Sequence, residues 1–314
     1  MAGNSNYDAI LSTTLNNYIP KLTDNIFTAR PLFYALTNGQ SIRRVSGGAK
    51  IVVPIIYGKN TTAGSYDGTD TISTTAQTGI SAAEFDWKQY AATVTISGIE
   101  EAKNRGEAEI IDLLEGKIFQ AQESIIEDMN TMLFADGSGN SGKDWEGLGN
   151  LVESADDTVG GINNASGQNN DWWESYEENT SEALTLAKMR TAYNSVSVGN
   201  DQPSIHITTQ TLYEKYESLL QPQLRYTDAN TADAGFQNLL HKGAPVTFDS
   251  ACTAGVMYFL NTKYLRLVGH SDVWFKNTPF VRPTNQDAVF SQILCYGNLT
   301  VSNRARQGKL TGKS

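Results

Sequence analysis

Three histidines are the first residues of this sequence that could do chemistry, because imidazole nitrogens bind metal ions and transfer protons near neutral pH. They are His206, His241 and His270, and they form neither an HExxH nor an HxH pair. Their separations match no metal-ligand spacing, so the sequence predicts no metal site. Cys252 and Cys295 are also far apart and lack CxxC spacing. We expect two reduced, buried thiols rather than a redox or zinc site.

Paired carboxylates are the second potential chemistry, because glycosidases use two of them about 5–10 Å apart across a cleft. Asp156 and Asp157 are one adjacent pair, and Glu177 and Glu178 are another. Both pairs lie in a stretch rich in Asn, Gly, Asp and Glu, so we interpret them as solvated surface.

The sequence DGSGNSGKD at residues 136–144 superficially resembles a calcium-binding loop or a phosphate-binding loop. It lacks the glutamate at the twelfth position of a calcium-binding loop, and it lacks the GK[ST] ending of a phosphate-binding loop. We therefore interpret it as a turn. The sequence predicts no catalytic, cofactor-binding or metal-binding residue.

Charge and composition argue against tight nucleic-acid binding and against a membrane span. The 314 residues carry a net charge of −10, whereas nucleic-acid binders neutralise phosphates with basic patches. Acidic residues concentrate in the middle of the chain, at residues 101–200. No apolar run approaches the roughly 18 residues that span a bilayer. Without a secretory signal at the N-terminus, we expect synthesis to finish in the cytoplasm.

A long acidic amphipathic helix is predicted over residues 100–134. Apolar residues recur on one face at intervals of three and four: Ile111, Leu114, Ile118, Ala121, Ile125, Met129 and Met132. Acidic residues lie off that stripe: Glu107, Glu115, Glu123, Glu127 and Asp128. About thirty residues at about 1.5 Å each make a rod of roughly 45 Å. Such a length is typical of a structural strut.

A Gly-, Ser- and Thr-rich excursion at residues 58–86 precedes this helix, and strand patterns flank it at residues 50–57 and 90–97. Irregular loops longer than about 12–15 residues are uncommon inside compact domains. We therefore predict a hairpin that leaves the body of the subunit. Its contacts are expected on another copy of the chain.

The remaining chain predicts separate groups of helices and strands, which favours the α+β class. A helix capped by Ser181 should bury Leu186, Met189, Tyr193 and Val196. A second helix should start at Thr209 or Thr211 and end near residue 220. Strands are predicted at residues 203–208, 256–260, 264–268, 273–276 and 288–303.

Three segments, in this order and spacing, resemble the major capsid protein of tailed bacteriophages, whose Hong Kong 97-like fold also occurs in encapsulin shells. The first runs from Asn25-Ile-Phe through Pro31-Leu and Leu36 into GGAKIVVPIIY at residues 47–57. The second is the long helix followed by Asp136-Gly and by GLGNLV at residues 147–152. The third is FQNLLHKGAPVTFD at residues 236–249 with YFLNTKYL at residues 258–265.

The resemblance implies an α+β, Hong Kong 97-like capsid fold that covers the whole chain. Its parts would be an N-terminal arm at residues 1–49, an extended loop hairpin at 50–98, a peripheral domain with a spine helix at 99–146, an axial domain at 147–262, and strands returning to the peripheral domain at 263–314.

The implied function is structural rather than enzymatic. The chain would self-assemble as pentamers and hexamers into the icosahedral head of a tailed double-stranded DNA phage, built in the host bacterial cytoplasm. A separate scaffold protein and a portal would be further partners. The shell would enclose DNA without sequence-specific binding, and Glu115, Glu123 and Asp128 would face it. Two alternatives stay open: an encapsulin-like compartment shell, and an acidic carbohydrate-active enzyme using carboxylates within residues 136–182.

Overall fold

The computed structural model describes residues 30–38, 42–103, 107–154, 158–165, 168–220 and 239–314. Most of the predicted N-terminal arm lies outside these residues. So do Asp156 and Asp157, and so do the side chains of the predicted helix from residue 101 to residue 115.

The described strands number fifteen and occur throughout the chain. They are β1 (Ile42–Val45), β2 (Ile51–Ile56), β3 (Ile80–Phe85), β4 (Lys88–Ser97), β5 (Thr158–Val159), β6 (Ile162–Asn163), β7 (Tyr176–Glu178), β8 (Ile205–Thr208), β9 (Leu239–His241), β10 (Ala244–Phe248), β11 (Met257–Leu260), β12 (Leu265–His270), β13 (Lys276–Asn277), β14 (Ala288–Val301) and β15 (Gly308–Leu310). The principal helices are α1 (Pro31–Asn38), α2 (Gly98–Lys103), α3 (Glu107–Phe134), α4 (Leu148–Leu151), α5 (Leu186–Val196) and α6 (Gln210–Leu219).

The first sheet has five strands and is organised around β14. Along its length β14 pairs antiparallel with β4, from Ala288 opposite Ser97 to Gly297 opposite Lys88. Its second half also pairs with β12, and β1 runs parallel to β12 at the edge. This arrangement needs segments more than 200 residues apart in the chain, so it forms only when the whole subunit folds.

The long helix α3 packs against this sheet through the predicted apolar stripe. Ile118, Ile125, Met129 and Met132 are buried, whereas Glu123 and the other described acidic side chains are exposed. Burying an aliphatic side chain of this size contributes about 1.5–3 kcal/mol. The described part of the stripe therefore anchors the helix, and its acidic face remains outside.

The second sheet has six strands in the order β7-β15-β11-β8-β10-β9. Helices α5 and α6 bury their apolar faces in its core, except that Leu186, which was predicted to be buried, is 41% exposed at the first residue of α5. Helix α5 begins later than predicted, because Thr185 rather than Ser181 accepts the capping hydrogen bond, from the backbone N–H of Lys188. Helix α6 is capped by Thr209, one of the two predicted positions. Segment 263–314 contributes to both sheets, since β15 lies between β7 and β11.

Two strand predictions need correction. The partner of β2 in the projecting hairpin is β3, inside the excursion, whereas the segment at residues 90–97 belongs to β4 and pairs with β14. The predicted strand at 273–276 is mostly a turn, because Phe275 has a φ of 53° and so leaves the extended conformation. Only Lys276–Asn277 pairs with β14 there.

Candidate functional site

The projecting hairpin of β2 and β3 has one face that packs on its own subunit. Ile51, Ile55, Ala83 and Phe85 are buried on this face. The backbone N–H of Glu84 donates a 2.8 Å hydrogen bond to the carbonyl of Gly160, in the turn between β5 and β6. The base of the hairpin is therefore fixed to that turn.

Close approach at this contact requires glycine. Gly160 has a φ of 60°, and a Cβ built there would lie 2.7 Å from the Cβ of Ala83. Any larger residue would strain the turn and push the hairpin away.

An aromatic stack supports the hairpin at Tyr57, the residue that follows β2. The rings of Tyr57 and Trp172 are 4.7 Å apart between centroids and nearly parallel, at 14°. Neighbouring Trp173 is buried and donates its indole N–H to the carbonyl of Val159 at 3.0 Å. Trp173 thus anchors the segment to the turn between β5 and β6, and Trp172 supports the hairpin.

The opposite face of the hairpin is exposed and, apart from Glu84 opposite Val52, apolar. Cross-strand register places Ile56 opposite Ile80, Pro54 opposite Ala82, and Val52 on the same side. Ile56 and Ile80 are 79% and 77% exposed. Large apolar groups paired on an open sheet face mark an interaction surface. We call Val52, Pro54, Ile56, Ile80 and Ala82 the open face.

Beyond the strands, residues 58–79 form a tip that makes its own hydrogen bonds. The backbone N–H and Oγ1 of Thr61 donate to Oε1 of Gln77 at 3.0 and 2.8 Å. Gly58 and Gly79 cross so closely that a Cβ on Gly58 would lie 2.9 Å from the Cα of Gly79. Tyr66 at the tip is exposed. The tip buries almost no side chain on its own subunit, so its order must come from elsewhere.

Replacing Ile56 and Ile80 with threonine is expected to weaken self-association without weakening the subunit. Exposed substitutions usually change stability by less than about 0.5 kcal/mol. Burying each isoleucine in a contact would contribute about 1.5–3 kcal/mol, which is roughly tenfold or more in association per site. The concentration threshold for assembly, measured by light scattering, should rise at least tenfold. Val198→Thr, at an exposed valine remote from the hairpin, is the matched control; an equal effect of both changes would contradict the assignment.

The carboxylates of the long helix differ in their surroundings. Asp128 accepts a hydrogen bond from the hydroxyl of Tyr90 on β4, and burial together with this carboxylate raises the pKa of Tyr90. Glu127 pairs with Arg30 at 3.1 Å. Glu123 is exposed. The side chain of Glu115 lies outside the described residues.

Glu177 and Glu178 correct the interpretation of solvated surface. Both lie on β7 and are largely covered, and each faces a buried lysine of the C-terminal segment. Glu177 pairs with Lys309 at 3.4 Å, and Glu178 pairs with Lys313 at 3.2 Å. The carboxylates are therefore held in ion pairs between strands, and they do not face each other across a cleft.

Two of the three histidines meet in the structure, although their spacing along the chain does not indicate it. β8 and β9 flank β10, which brings His206 and His241 to a ring-centroid distance of 5.3 Å. His270 lies apart, against Trp87 at 5.7 Å. Within the described ranges, no group of three or more His, Cys, Asp or Glu side chains is arranged to hold a metal.

Cys252 and Cys295 are free and buried, as predicted. Burial raises the pKa of each thiol to about 12. Both thiols are therefore protonated and unreactive at neutral pH.

Arg304 has a structural role that the sequence analysis does not predict. Its guanidinium is fully buried and donates to the carbonyls of Glu153 at 2.7 Å, Trp173 at 3.0 Å and Leu151 at 3.1 Å. It joins the chain after α4 to the tryptophans beneath the hairpin. In sequence it is one of several basic residues near the C-terminus, with no pattern that distinguishes it.

No helix among the described residues is both long enough and apolar enough to span a bilayer. No family model matches this sequence, and no curated protein matches it either.

Solved structures match over nearly the whole chain. The capsid asymmetric unit of cyanophage A-1(L) is similar with a TM-score of 0.68 and 17% identity, over 92% of this chain and 94% of that one. The capsid of a native GTA particle is similar with a TM-score of 0.60 and 14% identity, over 89% of this chain and 90% of that one. The holo-SrpI encapsulin complex from Synechococcus elongatus PCC 7942 is similar with a TM-score of 0.58 and 11% identity, over 89% of this chain and 87% of that one. The chain therefore has the α+β, Hong Kong 97-like fold.

Proposed function

We propose that this chain is the major capsid protein of a tailed double-stranded DNA bacteriophage and that it self-assembles into an icosahedral head. The observation that carries the proposal is the open face on a projecting hairpin whose other face is fixed to its own subunit. The Hong Kong 97-like fold and the similarity to phage capsids support it.

The mechanism is assembly through overlap. The hairpin lays its open face and its tip on a neighbouring copy, and the copies close as pentamers and hexamers because identical contacts repeat around symmetry axes. The corresponding division of the chain is an N-terminal arm at 1–49, the hairpin at 50–98, a peripheral domain at 99–146, an axial domain at 147–262 and returning strands at 263–314.

Further partners follow from the same proposal. A separate scaffold protein and a portal take part in assembly in the host bacterial cytoplasm. The enclosed DNA is held without sequence-specific contacts, and the overall charge of −10 limits its adhesion to the shell. Exposed Glu123 is the described carboxylate of the long helix best placed to contribute.

An encapsulin-like compartment is the second candidate, favoured by the similarity to the SrpI encapsulin complex. The two functions differ in content, because a phage head holds DNA and a compartment holds protein cargo. The alternative of a carbohydrate-active enzyme is not supported by the described carboxylate pair, because Glu177 and Glu178 each form an ion pair with a lysine.

The purified chain is expected to form closed shells, or pentamers and hexamers, as its concentration rises. Light scattering and negative-stain microscopy measure this directly. A species of only 34.3 kDa at every concentration and salt, even with the scaffold protein present, would contradict the proposal. Particles from the native source should show the absorbance ratio of packaged DNA; particles filled with protein would favour the compartment.

A further inference from the structure

His206 of β8 lies in the apolar core of the six-stranded sheet, and the half-buried His241 of the edge strand β9 packs against it. His206 is completely buried, and neither of its ring nitrogens makes a hydrogen bond of good geometry with the described residues; the backbone of His241 offers only a weak one. Nδ1 of His241 is buried and unpartnered in the same way. Buried polar groups normally have partners, so this pair requires an explanation.

Aromatic rings surround both histidines. Tyr193 of α5 contacts both, at centroid distances of 5.8 Å to His206 and 5.6 Å to His241. Phe259 of β11 lies 4.7 Å from His206, and Tyr216 of α6 lies 6.3 Å from His241. This environment favours an uncharged imidazole, because a charged one would lose its hydration without gaining a partner.

The charged group nearest the pair is a cation. Lys242 Nζ lies 4.6 Å from the ring centroid of Tyr193 and donates to Oδ1 of Asn194. The hydroxyl of Tyr216 donates to the carbonyl of Leu240, and Tyr213 of the same helix packs on Phe248. In the described parts of the chain, no carboxylate contributes to the pKa shift of either histidine. A metal ion is disfavoured as well, because two imidazoles would be its whole ligand set beside a positive charge.

These surroundings set the direction of the pH dependence. Burial, and then the neighbouring His241, lower the pKa of His206 to about 3, and the backbone of His241 opposes the shift only in part. Burial, and then Lys242, lower the pKa of His241 to about 4. Both values lie below the ordinary 6.5. The stability they contribute is complete above pH 6.5 and is lost as the pH falls toward the folded-state values.

Topology decides where the sheet opens. β9 is the terminal strand of its sheet and is only three residues long. Displacing it hydrates His241 and uncovers one side of β10, whereas β8 lies deeper, between β10 and β11. Opening at this edge breaks the pairing of β9 with only three residues of β10; the opposite edge strand, β7, is equally short but carries no histidine.

We propose that His206 and His241 form an acid-sensitive pair that couples the packing of the six-stranded sheet to pH: protonation opens the edge made by β9, β10 and β8 while the five-stranded sheet stays packed. The proposal concerns a single subunit and does not rest on the function proposed above.

The first test measures the two rings directly. Exchange of the histidine C2 proton with deuterium, read by mass spectrometry across pH on the full chain, reports the titration midpoint of each histidine in any assembly state. The midpoints of His206 and His241 are expected at least two pH units below 6.5. Midpoints near 6.5 for both would overturn the proposal.

The second test locates the opening by amide hydrogen exchange between pH 7 and pH 4.5. The opening equilibrium of peptides from residues 203–208 and 239–248 should increase by up to roughly tenfold per pH unit for each histidine. All five tryptophans lie in or against the larger core cluster, which includes Ile205 and Ile207 of β8, whereas Tyr193 and Phe259 beside the histidines belong to the other cluster. Tryptophan fluorescence should therefore stay constant while only the histidine side of the sheet opens. Tryptophan changes that precede the exchange would contradict the order of events.

Variants separate the pair from general acid effects. The double variant His206→Phe with His241→Phe keeps aromatic packing and removes both titrating groups, so its opening equilibrium, after correction for the intrinsic pH dependence of amide exchange, should be nearly independent of pH. His270→Phe, in the other sheet, is the matched control and should retain the acid response. Equal acid dependence in the double variant and the unmodified chain would refute the proposal. If the double variant does not fold, the C2 exchange of the unmodified chain decides.

Discussion

Replacing residues 58–78 with Asn-Gly is expected to abolish shell formation and to leave the subunit folded. Ile56 lies opposite Ile80, so Tyr57 and Gly79 would be joined by a two-residue hairpin turn, for which Asn-Gly is well suited. The stack of Tyr57 on Trp172 and the contact with Gly160 would remain.

The physical reason is that the tip contributes to assembly and almost nothing to the core. About ten residues out and ten back, at about 3.3 Å each, reach roughly 33 Å beyond the strands. This reach is shorter than the sequence alone implies, because β3 occupies residues 80–85. Exposed Tyr66 and Ile72 are the large apolar groups the tip can offer to a neighbour.

Circular dichroism and thermal melting test whether the shortened subunit folds, and negative-stain microscopy tests whether it closes. A full-length variant with Tyr66→Ser and Ile72→Ser is the matched control, because it keeps the length of the tip and removes its apolar groups. Normal shells from the shortened chain would show that the tip is dispensable and that the open face alone suffices.

Arg304→Met is expected to destabilise the subunit by about 3 kcal/mol or more, because it removes a fully buried donor that several backbone carbonyls share. The change leaves the carbonyls of Leu151, Trp173 and Glu153 without their common donor. Orphaned buried acceptors each cost about 1–3 kcal/mol. Because total stabilities are typically about 5–15 kcal/mol, this is a large fraction of the whole.

Urea unfolding followed by tryptophan fluorescence measures the effect, since Trp173 itself contacts the guanidinium. Arg306→Met is the control: it removes the same charge two residues away, where Nη1 makes only 3.5 Å contacts with carbonyls. We expect a loss below about 1 kcal/mol there. Equal stability of the two variants would mean that Arg304 is not the link between these segments.

Local patterns in the sequence predicted the elements that are long or strongly periodic. The apolar stripe through Ile118, Ile125 and Met129 is periodic over many turns, and the structure buries it. β14 and the cap at Thr209 follow in the same way from alternation and capping chemistry. The hairpin was recognised from its composition, but its second strand was misplaced, because Ile80–Phe85 is short and contains polar residues.

The remaining features depend on contacts between distant segments. Lys309 and Lys313 are typical of a solvated chain end in sequence, yet pairing of β15 with β7 buries them beside glutamates. His206 and His241 meet only because β10 lies between their strands. No residue near any of these positions signals the burial, since it results from long-range strand order.

The position of β15 also sets the timing of subunit folding during translation. β15 lies between β7 and β11, yet it emerges from the ribosome after every other strand of its sheet. At about 5–20 residues per second, the hairpin at 51–85 is synthesised roughly ten seconds or more before β15 can insert. A nascent chain therefore carries an incomplete six-stranded sheet and cannot hold the Lys309 and Lys313 ion pairs. Completion of the six-stranded sheet therefore waits for the last described strand of the chain, whereas the hairpin is already synthesised.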